Sequence, residues 1–223
     1  MFELLNGGKR PKQTNTPSEV IHLRFNETPF YEENDRLVET RSVSMITDGA
    51  FDKGLRPVAS NGWVRTLLEP RDFTQAFTLE FFARRAPGVT LPPNQYCAII
   101  FDPLSGTGIG IQYYNSQFYI YDSSGGSFKW RGGDNMLTSD NIYRHHALVF
   151  SAGTYRFFRA GQLLATFAGV STVSKTAGLY LYMGGHPNLS ISGTAIDFDE
   201  FLLVPGVAKY AAAFTPPAEP FYS

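Results

Sequence analysis

The sequence predicts an all-β protein built as a sandwich or barrel of antiparallel sheets. Apolar and polar residues alternate with a period of two in short runs, and turn residues bound each run. Glycine (21 residues) and proline (14 residues) are spread along the whole chain of 223 residues, and long helical periodicity is missing. This combination is typical of a domain with many short strands, and the chain length suits one such domain.

The segment 77–84 shows the alternation most plainly, because Phe77, Leu79 and Phe81 are separated by polar residues. A strand of this kind has one apolar face and one polar face. About ten or more such strands are enough for two packed sheets. By the same criterion we expect strands at 20–25, 77–84, 96–101, 108–114, 117–122, 127–131, 143–150, 154–159, 162–167, 178–183 and 195–204.

Two pairs of turn residues predict β-hairpins. Asn115-Ser116 separates two tyrosine-rich runs, and Ala160-Gly161 separates two further apolar runs. Alanine resists the positive φ that both central residues of a type I′ turn adopt. We therefore expect Gly161 alone to be left-handed, in a type I turn followed by a bulge.

The two ends of the chain do not show sheet alternation. Residues 1–19 mix glycine, proline and polar residues and are predicted to form an extended N-terminal arm. Residues 20–223 would form the sandwich and a C-terminal tail. Within that tail, residues 207–214 are predicted to form a short helical turn that Pro216 stops.

Composition excludes several classes of partner. The net charge is −1, with 19 basic and 20 acidic residues and no basic stripe, so nucleic acid is not expected as a partner. No apolar run approaches the length of a membrane span, so no membrane partner is expected. The single cysteine, Cys97, cannot form an internal disulfide and lies in an apolar run, which predicts a small buried residue. Without a recognisable secretory signal, we expect synthesis in a reducing cytoplasm.

The order of four segments resembles the laminin G-like branch of the concanavalin A-like lectin/glucanase superfamily. The matching segments are 72–84, 143–150, the hairpin 155–167 and 193–204. The resemblance implies a jelly roll of two antiparallel sheets. The segment that follows, 207–217, looks like the ending of many such domains in structural proteins of tailed bacteriophages, and this implies a location in a virion.

Glucanases of this superfamily use carboxylates that alternate along one strand in a Glu-x-Asp-x-(x)-Glu pattern. The nearest match here is Asp197-Phe198-Asp199-Glu200, which lacks the leading Glu. Asp197 and Asp199 share a face, while strict alternation sends Glu200 to the other face. We therefore predict no enzymatic activity and no catalytic residue. Asp199 and Glu200 would instead tie the last strand to a neighbouring loop.

No metal or cofactor is assigned from the sequence. His145 and His146 are adjacent, so a strand sends them to opposite faces and they cannot bind one metal together. Calcium is a possibility that the superfamily raises, but nothing resembles a dense loop of oxygen ligands. The aspartates at predicted loop edges are Asp102, Asp122, Asp134 and Asp140.

The placement of tyrosine is the feature that predicts a binding surface. Three predicted strands, 108–114, 117–122 and 178–183, put aliphatic residues on one face and tyrosines on the other. If these strands share a sheet, its outer face carries rings that are favoured at binding surfaces. The alternative is that tyrosine simply fits a pleated, half-buried surface, or that loops cover it. The candidate binding residues are Tyr114, Tyr119, Tyr121, Trp130, Tyr180 and Tyr182.

These expectations lead to two functional hypotheses. The first is a non-enzymatic structural protein of a tailed-phage virion, either a capsid decoration or a tail or fibre component. It would contact other virion proteins through residues 1–19 and the tyrosine-bearing face. The alternative is a lectin-like module that recognises host-surface polysaccharide. A glycanase is a third possibility, because one fold hosts all three activities.

Overall fold

The structure is a computed structural model, and it confirms an all-β fold of two antiparallel sheets. Its described part contains sixteen strands and no helix. Accordingly, no helix there is long and apolar enough to cross a membrane. The predicted N-terminal arm, residues 1–19, lies outside the described residues. Those are residues 21–25, 31–32, 38–59, 61–68, 73–90, 94–103, 106–114, 117–122, 127–131, 140–169, 173, 178–185 and 195–221.

The strands divide into a nine-stranded and a seven-stranded sheet. The nine-stranded sheet contains β1 (Ile21–Arg24), β2 (Tyr31–Glu32), β4 (Val43–Ile46), β5 (Gly54–Pro57), β7 (Phe77–Arg85), β12 (Arg144–Ser151), β13 (Thr154–Arg159), β14 (Gln162–Ala168) and β16 (Ile196–Pro205). The seven-stranded sheet contains β3 (Val38–Arg41), β6 (Trp63–Leu67), β8 (Asn94–Asp102), β9 (Thr107–Tyr114), β10 (Gln117–Asp122), β11 (Ser127–Arg131) and β15 (Tyr180–Met183).

The strand order explains which surfaces become neighbours. The larger sheet runs β14-β13-β12-β7-β16-β1-β2, and β5 joins it beside β16 with β4 on its far side. The smaller sheet runs β11-β10-β9-β8-β15-β6-β3. All eleven predicted strands are present within two residues at each end. The five strands that were not predicted, β2 to β6, lie between residues 31 and 67, where the alternating runs are short.

The core lies between the two sheets and is filled by the apolar face of each strand. Leu79 of β7 lies opposite Leu148 on one neighbouring strand and Leu203 on the other. All three are fully buried, together with Ile109 and Ile111 of the smaller sheet. Burial of each such side chain stabilises the fold by about 1.5–3 kcal/mol. The alternation that predicts the strands is therefore also what joins the two sheets.

The central part of the outer face of the nine-stranded sheet is covered by residues 206–221, which we call the C-terminal strap. Residues 207–214 of the strap are irregular and contain no helix, so the predicted helical turn there is wrong. Its backbone bonds to the sheet instead, since Thr78 Oγ1 donates to the Val207 carbonyl and the Lys209 amide donates to Thr78 Oγ1. A helix would use those backbone groups internally. The irregular backbone of the strap leaves them free to bind the sheet.

Aromatic side chains hold the middle of the strap. The rings of Tyr210 and Phe214 stack with their centroids 3.6 Å apart. Both pack on a buried apolar patch that the outer face of the sheet provides through Ala147, Val149 and Phe158. Central strands of the larger sheet are consequently buried on both faces.

The β13–β14 hairpin corrects the predicted turn. Ala160 and Gly161 both have positive φ, 47° and 75°. This is the signature of a type I′ turn rather than of a type I turn with a bulge. The twist of a type I′ turn matches that of the flanking strands, and this outweighs the cost of a left-handed alanine. At Gly161 a Cβ atom would lie 1.9 Å from the Phe214 carbonyl oxygen, so the strap itself requires glycine there.

The second predicted hairpin is confirmed by its pairing. Tyr114 at the end of β9 lies opposite Gln117 at the start of β10, in an antiparallel pair. The connecting residues, Asn115 and Ser116, lie outside the described part of the chain.

A pair of leucine variants tests where the core lies. Leu148→Ala should lower the free energy of unfolding by about 2–5 kcal/mol, because it opens a cavity between the sheets. Leu163→Ala should cost less than about 0.5 kcal/mol, because Leu163 is 40% exposed on β14. Urea denaturation of both variants measures the difference. Equal losses would show that the sheets do not enclose the core described here.

Candidate functional site

The predicted tyrosines lie on the outer face of the seven-stranded sheet. Ile109, Ile111 and their neighbours fill the core, and Tyr114 and Tyr119 point away from it as an edge-to-face pair 5.6 Å apart. Tyr180 and Tyr182 form a second pair on the same side, 5.9 Å apart. The sidedness expected from alternation is therefore found for these four residues.

The remaining two candidates are described only in their backbone. Tyr121 lies opposite Gly110, and Trp130 lies opposite Ile120. Their side chains lie outside the described part of the structure, so a binding role for them stays a prediction.

Exposure differs among the four tyrosines. Tyr119 is 6% exposed and Tyr182 is 1% exposed, whereas Tyr114 and Tyr180 are half-buried. Tyr182 belongs to a buried cluster in the middle of the outer face, with Tyr96, Ile99 and Phe101. The sequence-based picture of tyrosines left open to a partner is thus wrong for Tyr119 and Tyr182, and it holds only in part for the other two.

An accessible group of side chains flanks this buried cluster on strands β3, β6 and β15. We call it the aromatic–arginine patch, and it consists of Glu39, Arg41, Trp63, Arg65 and Tyr180. Trp63 and Tyr180 are half-buried, and the Arg65 side chain is 25% exposed. The patch therefore offers flat apolar rings beside charged groups that solvent can reach.

Arg65 lies at the centre of the patch, between three aromatic rings. Its guanidinium carbon is 5.0 Å from the centroid of Trp63, 4.7 Å from that of Tyr180 and 5.8 Å from that of Tyr182. Its Nη1 donates to the Tyr182 hydroxyl at 3.0 Å. Contacts of a guanidinium with several aromatic faces fix its position, since each is worth about 0.5–1 kcal/mol at an exposed site.

Glu39 neutralises Arg65. Arg65 Nη2 lies 2.6 Å from the Glu39 carboxylate, and this hydrogen bond raises the pKa of Arg65 above its ordinary value. Two buried donors, Arg65 Nε and Trp63 Nε1, have no hydrogen-bond partner within the described residues. Arg41 lies opposite Trp63 in the β3–β6 register and is exposed. The patch therefore combines one neutralised cation with a second cation beside the indole.

Sequence reasoning missed Trp63 and Arg65 because β6 was not predicted. The signal was nevertheless present, since Trp63, Arg65 and Leu67 alternate with buried Val64 and Thr66. The run is only five residues long, and its alternation is weak because apolar Trp63 and Leu67 lie on the outward face while polar Thr66 is buried.

The carboxylates of β16 are occupied by structural contacts. Asp197 is fully buried and binds Arg56 through two oxygens, with distances of 2.5 and 2.7 Å. It also accepts a hydrogen bond from Arg84 Nε at 3.0 Å. Arg84 in turn binds Asp48 at 2.7 Å. This network joins β16, β7 and β5 to the loop that carries Asp48.

Asp199 ties β16 to a neighbouring loop, as predicted. It accepts hydrogen bonds from the backbone amides of Phe51 and Glu200. Burial raises its pKa to about 6 because the charged form loses hydration. Asp199 thus serves as a cap for the loop around residues 49–52.

Glu200 departs from the predicted alternation because β16 contains a bulge between Asp199 and Phe201. Glu200 has a φ of 43°, and its carboxylate lies 2.6 Å from His22 Nε2. It also accepts a hydrogen bond from the amide of Phe221 in the strap. The expectation that Glu200 faces away from Asp199 is wrong, since the extra residue of the bulge returns it to the outer side.

The adjacent histidines lie on opposite faces, as predicted. His146 is in the core and stacks on Phe81 with ring centroids 5.4 Å apart. Burial lowers its pKa to about 3, so it is neutral. His145 lies on the outer face, where its Nε2 is 2.8 Å from Glu80. The described residues contain no group of three or more His, Cys, Asp or Glu that could hold a metal ion.

Glu80 is a fully buried carboxylate with three partners under the strap. It binds His145, the Tyr210 hydroxyl at 2.8 Å, and the ammonium group of Lys209. Burial alone would raise the pKa of Glu80, but the hydrogen bond from His145 and the charge of Lys209 outweigh it and lower the pKa. Cys97 is also buried, and burial raises the pKa of its thiol, as expected for an inert core residue.

Three solved structures illustrate what the fold resembles. The binding domain of paraclostridial mosquitocidal protein 1 matches 87% of this chain and 49% of its own length, at 14% identity and a TM-score of 0.61. The sialidase of Trypanosoma rangeli, solved in complex with sialic acid, matches 87% and 32%, at 11% identity and a TM-score of 0.64. Botulinum neurotoxin type C, whose cell entry depends on interaction with two ganglioside molecules, matches 87% and 48%, at 12% identity and a TM-score of 0.61.

These similarities show a shared β-sandwich fold. The chain spans about half the length of the mosquitocidal-protein and neurotoxin structures and about a third of the sialidase. No protein-family model matches the chain, and no curated protein sequence matches it significantly.

Removal of the Asp197 charge tests its structural role. Asp197→Asn should lower the free energy of unfolding by about 3 kcal/mol, because it removes the buried charge that pairs with both Arg56 and Arg84. The matched control is Asp140→Asn, which removes a surface partner of Arg144 that is 37% exposed. The control should cost less than about 1 kcal/mol. Urea denaturation at neutral pH compares them, and equal costs would contradict the buried network.

Glu80 predicts an acid-sensitive contribution to stability. Its folded-state pKa is lowered from 4.5, so its stabilisation is present above that pH and is lost as the pH falls below it. At pH 7, Glu80→Gln should therefore lower the free energy of unfolding by about 2 kcal/mol. Urea titrations of the wild type and variant between pH 7 and pH 3 should show the difference shrinking. A difference independent of pH would mean that the carboxylate charge does not stabilise the strap.

Proposed function

We propose that this β-sandwich is a non-enzymatic carbohydrate-binding domain and that the aromatic–arginine patch is its binding surface. The observation that supports this most directly is Arg65, held among three aromatic rings on a solvent-accessible sheet face. A sugar ring presents flat C–H faces and hydroxyl edges. Half-buried rings such as Trp63 and Tyr180 can stack on the former, and the exposed guanidinium of Arg41 can donate to the latter.

The geometry is suited to a ligand that meets a preformed surface. Arg65 cannot move freely, because Glu39 holds one side of its guanidinium and Tyr182 holds the other. Rigid aromatic and arginine side chains lose little conformational entropy when they bind, and they dominate the energetics of binding surfaces.

The comparisons support the same class of function. Botulinum neurotoxin type C interacts with gangliosides, and the Trypanosoma rangeli sialidase was solved with sialic acid. Both contain this fold and both engage glycans. One fold hosts unrelated functions, so the main support for this function is the aromatic–arginine patch. The structural neighbours support only the general class of glycan-binding proteins.

The positions of the β16 carboxylates favour binding over hydrolysis. A retaining or inverting glycosidase needs two carboxyl groups that reach the sugar from opposite sides. Asp197 is fully buried and engaged by Arg56 and Arg84, and Asp199 is fully buried and bound to backbone amides. Neither is positioned to give or take a proton at a glycosidic oxygen.

The virion role implied by the sequence resemblance is the second candidate. An observation that favours a protein neighbour is β14, which is an edge strand in the described part of the larger sheet. It exposes Leu163 and Leu164, 40% and 42% accessible. An edge strand with exposed leucines is a surface on which another chain can pair. Contacts through residues 1–19 stay a prediction.

Alanine variants of the patch test the proposed function. Trp63→Ala and Tyr180→Ala should each weaken binding to the glycans recognised on a broad glycan array by at least about tenfold. Leu163→Ala, on the opposite sheet, should bind like the wild type. Circular dichroism and thermal unfolding confirm that each variant is folded. Variants that are folded and bind normally would remove the patch from the binding site.

The array also separates the functional classes. Selective binding by the wild type supports a carbohydrate-binding domain, and release of reducing sugar from a bound glycan would identify an enzyme instead. Absence of glycan binding, together with co-purification of the protein on intact phage particles, would support the virion role and overturn the proposed function.

A further inference from the structure

We infer, on the basis of the proposed function, that the aromatic–arginine patch selects acidic saccharides and that Arg41 binds their anionic group. The relevant ligands are sugars that carry a carboxylate or a sulfate on a ring that can stack on Trp63. The fold alone indicates neither this class of ligand nor a residue that determines specificity.

The strand register places Arg41 beside Trp63. In the β3–β6 pair, Arg41 lies opposite Trp63 and Glu39 lies opposite Arg65. Residues that are opposite in an antiparallel pair project to the same face, with Cβ atoms about 4.5–5.5 Å apart. The guanidinium of Arg41 therefore emerges on the outer face next to the indole. A ligand that stacks on the indole comes within its reach.

The two arginines of the patch differ in their pairing. Arg65 is neutralised by Glu39 at 2.6 Å and held by Tyr182. Arg41 is exposed, and no carboxylate within the described residues forms an ion pair with it. The patch thus has one surplus positive charge, although the whole chain has a net charge of −1. This local excess favours an anionic ligand.

A guanidinium matches this task better than another cation would. Its planar fork binds a carboxylate through two parallel hydrogen bonds, and charge-assisted bonds of this type are about twice as strong as neutral ones. A neutral sugar would leave the Arg41 charge unused. An acidic sugar would stack on the rings and also pair with the Arg41 guanidinium. The patch would therefore select acidic sugars, which neither the rings nor the cation could do alone.

The choice of a saccharide over an acidic peptide rests on the rings. Trp63 and Tyr180 both lie close to the Arg65 guanidinium, and both rings are half-buried, so each leaves accessible ring surface on which a pyranose can stack. An acidic peptide offers charge without a stacking face. It would bind through Arg41 alone, and weakly, because a single exposed ion pair contributes little.

The test compares acidic probes with their neutral counterparts by isothermal titration calorimetry. The probes are 3′-sialyllactose with lactose, an oligogalacturonate with its carboxyl-reduced form, and a sulfated oligosaccharide with its desulfated form. The wild type should bind at least one acidic member about tenfold more tightly than its partner. Affinity for that probe should fall as the salt concentration rises. Comparison of the carboxylated and sulfated pairs distinguishes the two anions.

Variants assign the preference to Arg41. Arg41→Gln should reduce the ratio of acidic to neutral affinity to about one, and Arg41→Lys should restore only part of it, since an ammonium lacks the planar fork. The matched control is Arg156→Gln, which removes one positive charge from β13 in the other sheet. The control should keep the wild-type ratio.

The outcomes distinguish this inference from the proposed function. Glycan binding with no acidic preference, or a preference that Arg41→Gln does not change, would overturn the inference and leave the carbohydrate-binding proposal standing. Failure of every glycan to bind would overturn both. Equal binding of a polyglutamate peptide and the acidic sugars would show that charge alone is recognised, and this would also overturn the inference.

Discussion

The structure depends on the burial of one face of every central strand between the two sheets. Leu79, Leu148 and Leu203 line up across three strands of the larger sheet and meet Ile109 and Ile111 of the smaller one. Because side chains alternate along a strand, every second side chain of each sheet points away from the core and forms an outer face. The outer face of the larger sheet is covered in its centre, whereas that of the smaller sheet is partly accessible, and this difference determines where a ligand can bind.

The larger sheet hides its outer face under the C-terminal strap. Apolar contacts from Tyr210 and Phe214 cover Phe158, and the polar residues beneath the strap are paired, with Glu80 bound to His145 and Lys209. A buried carboxylate is tolerated only when it has such partners. The polar groups beneath the strap are therefore paired with other groups of the same chain. On the smaller sheet, by contrast, the aromatic–arginine patch remains accessible, because Trp63, Arg65 and Tyr180 are only partly buried and Arg41 is exposed.

Irregularities in the backbone decide the chemistry of the carboxylates. A single extra residue at Glu200 turns its side chain to the side where Asp199 lies, and directs it to His22 and the strap. Asp197 binds two guanidiniums, so its charge stabilises the packing of β16 against β5 and β7. Asp197, Asp199 and Glu200 have a spacing that resembles a hydrolase motif, but the contacts of each carboxylate show a structural role. The environment also defines the role of Arg65, because three aromatic rings surround its guanidinium.

Local periodicity was sufficient to predict several features of the fold. These are the all-β class, eleven of the sixteen strands in the described residues, the opposite faces of His145 and His146, and the outward side of Tyr114 and Tyr180. The tertiary structure was needed to establish which outward residues are accessible, because burial depends on what packs over a face from distant parts of the chain. It kept the strap from forming a helical turn and placed Glu200 on the same outer side as Asp199. It also brought Arg41, Trp63 and Tyr180 together from three strands that are far apart in sequence, and no local pattern encodes such a meeting.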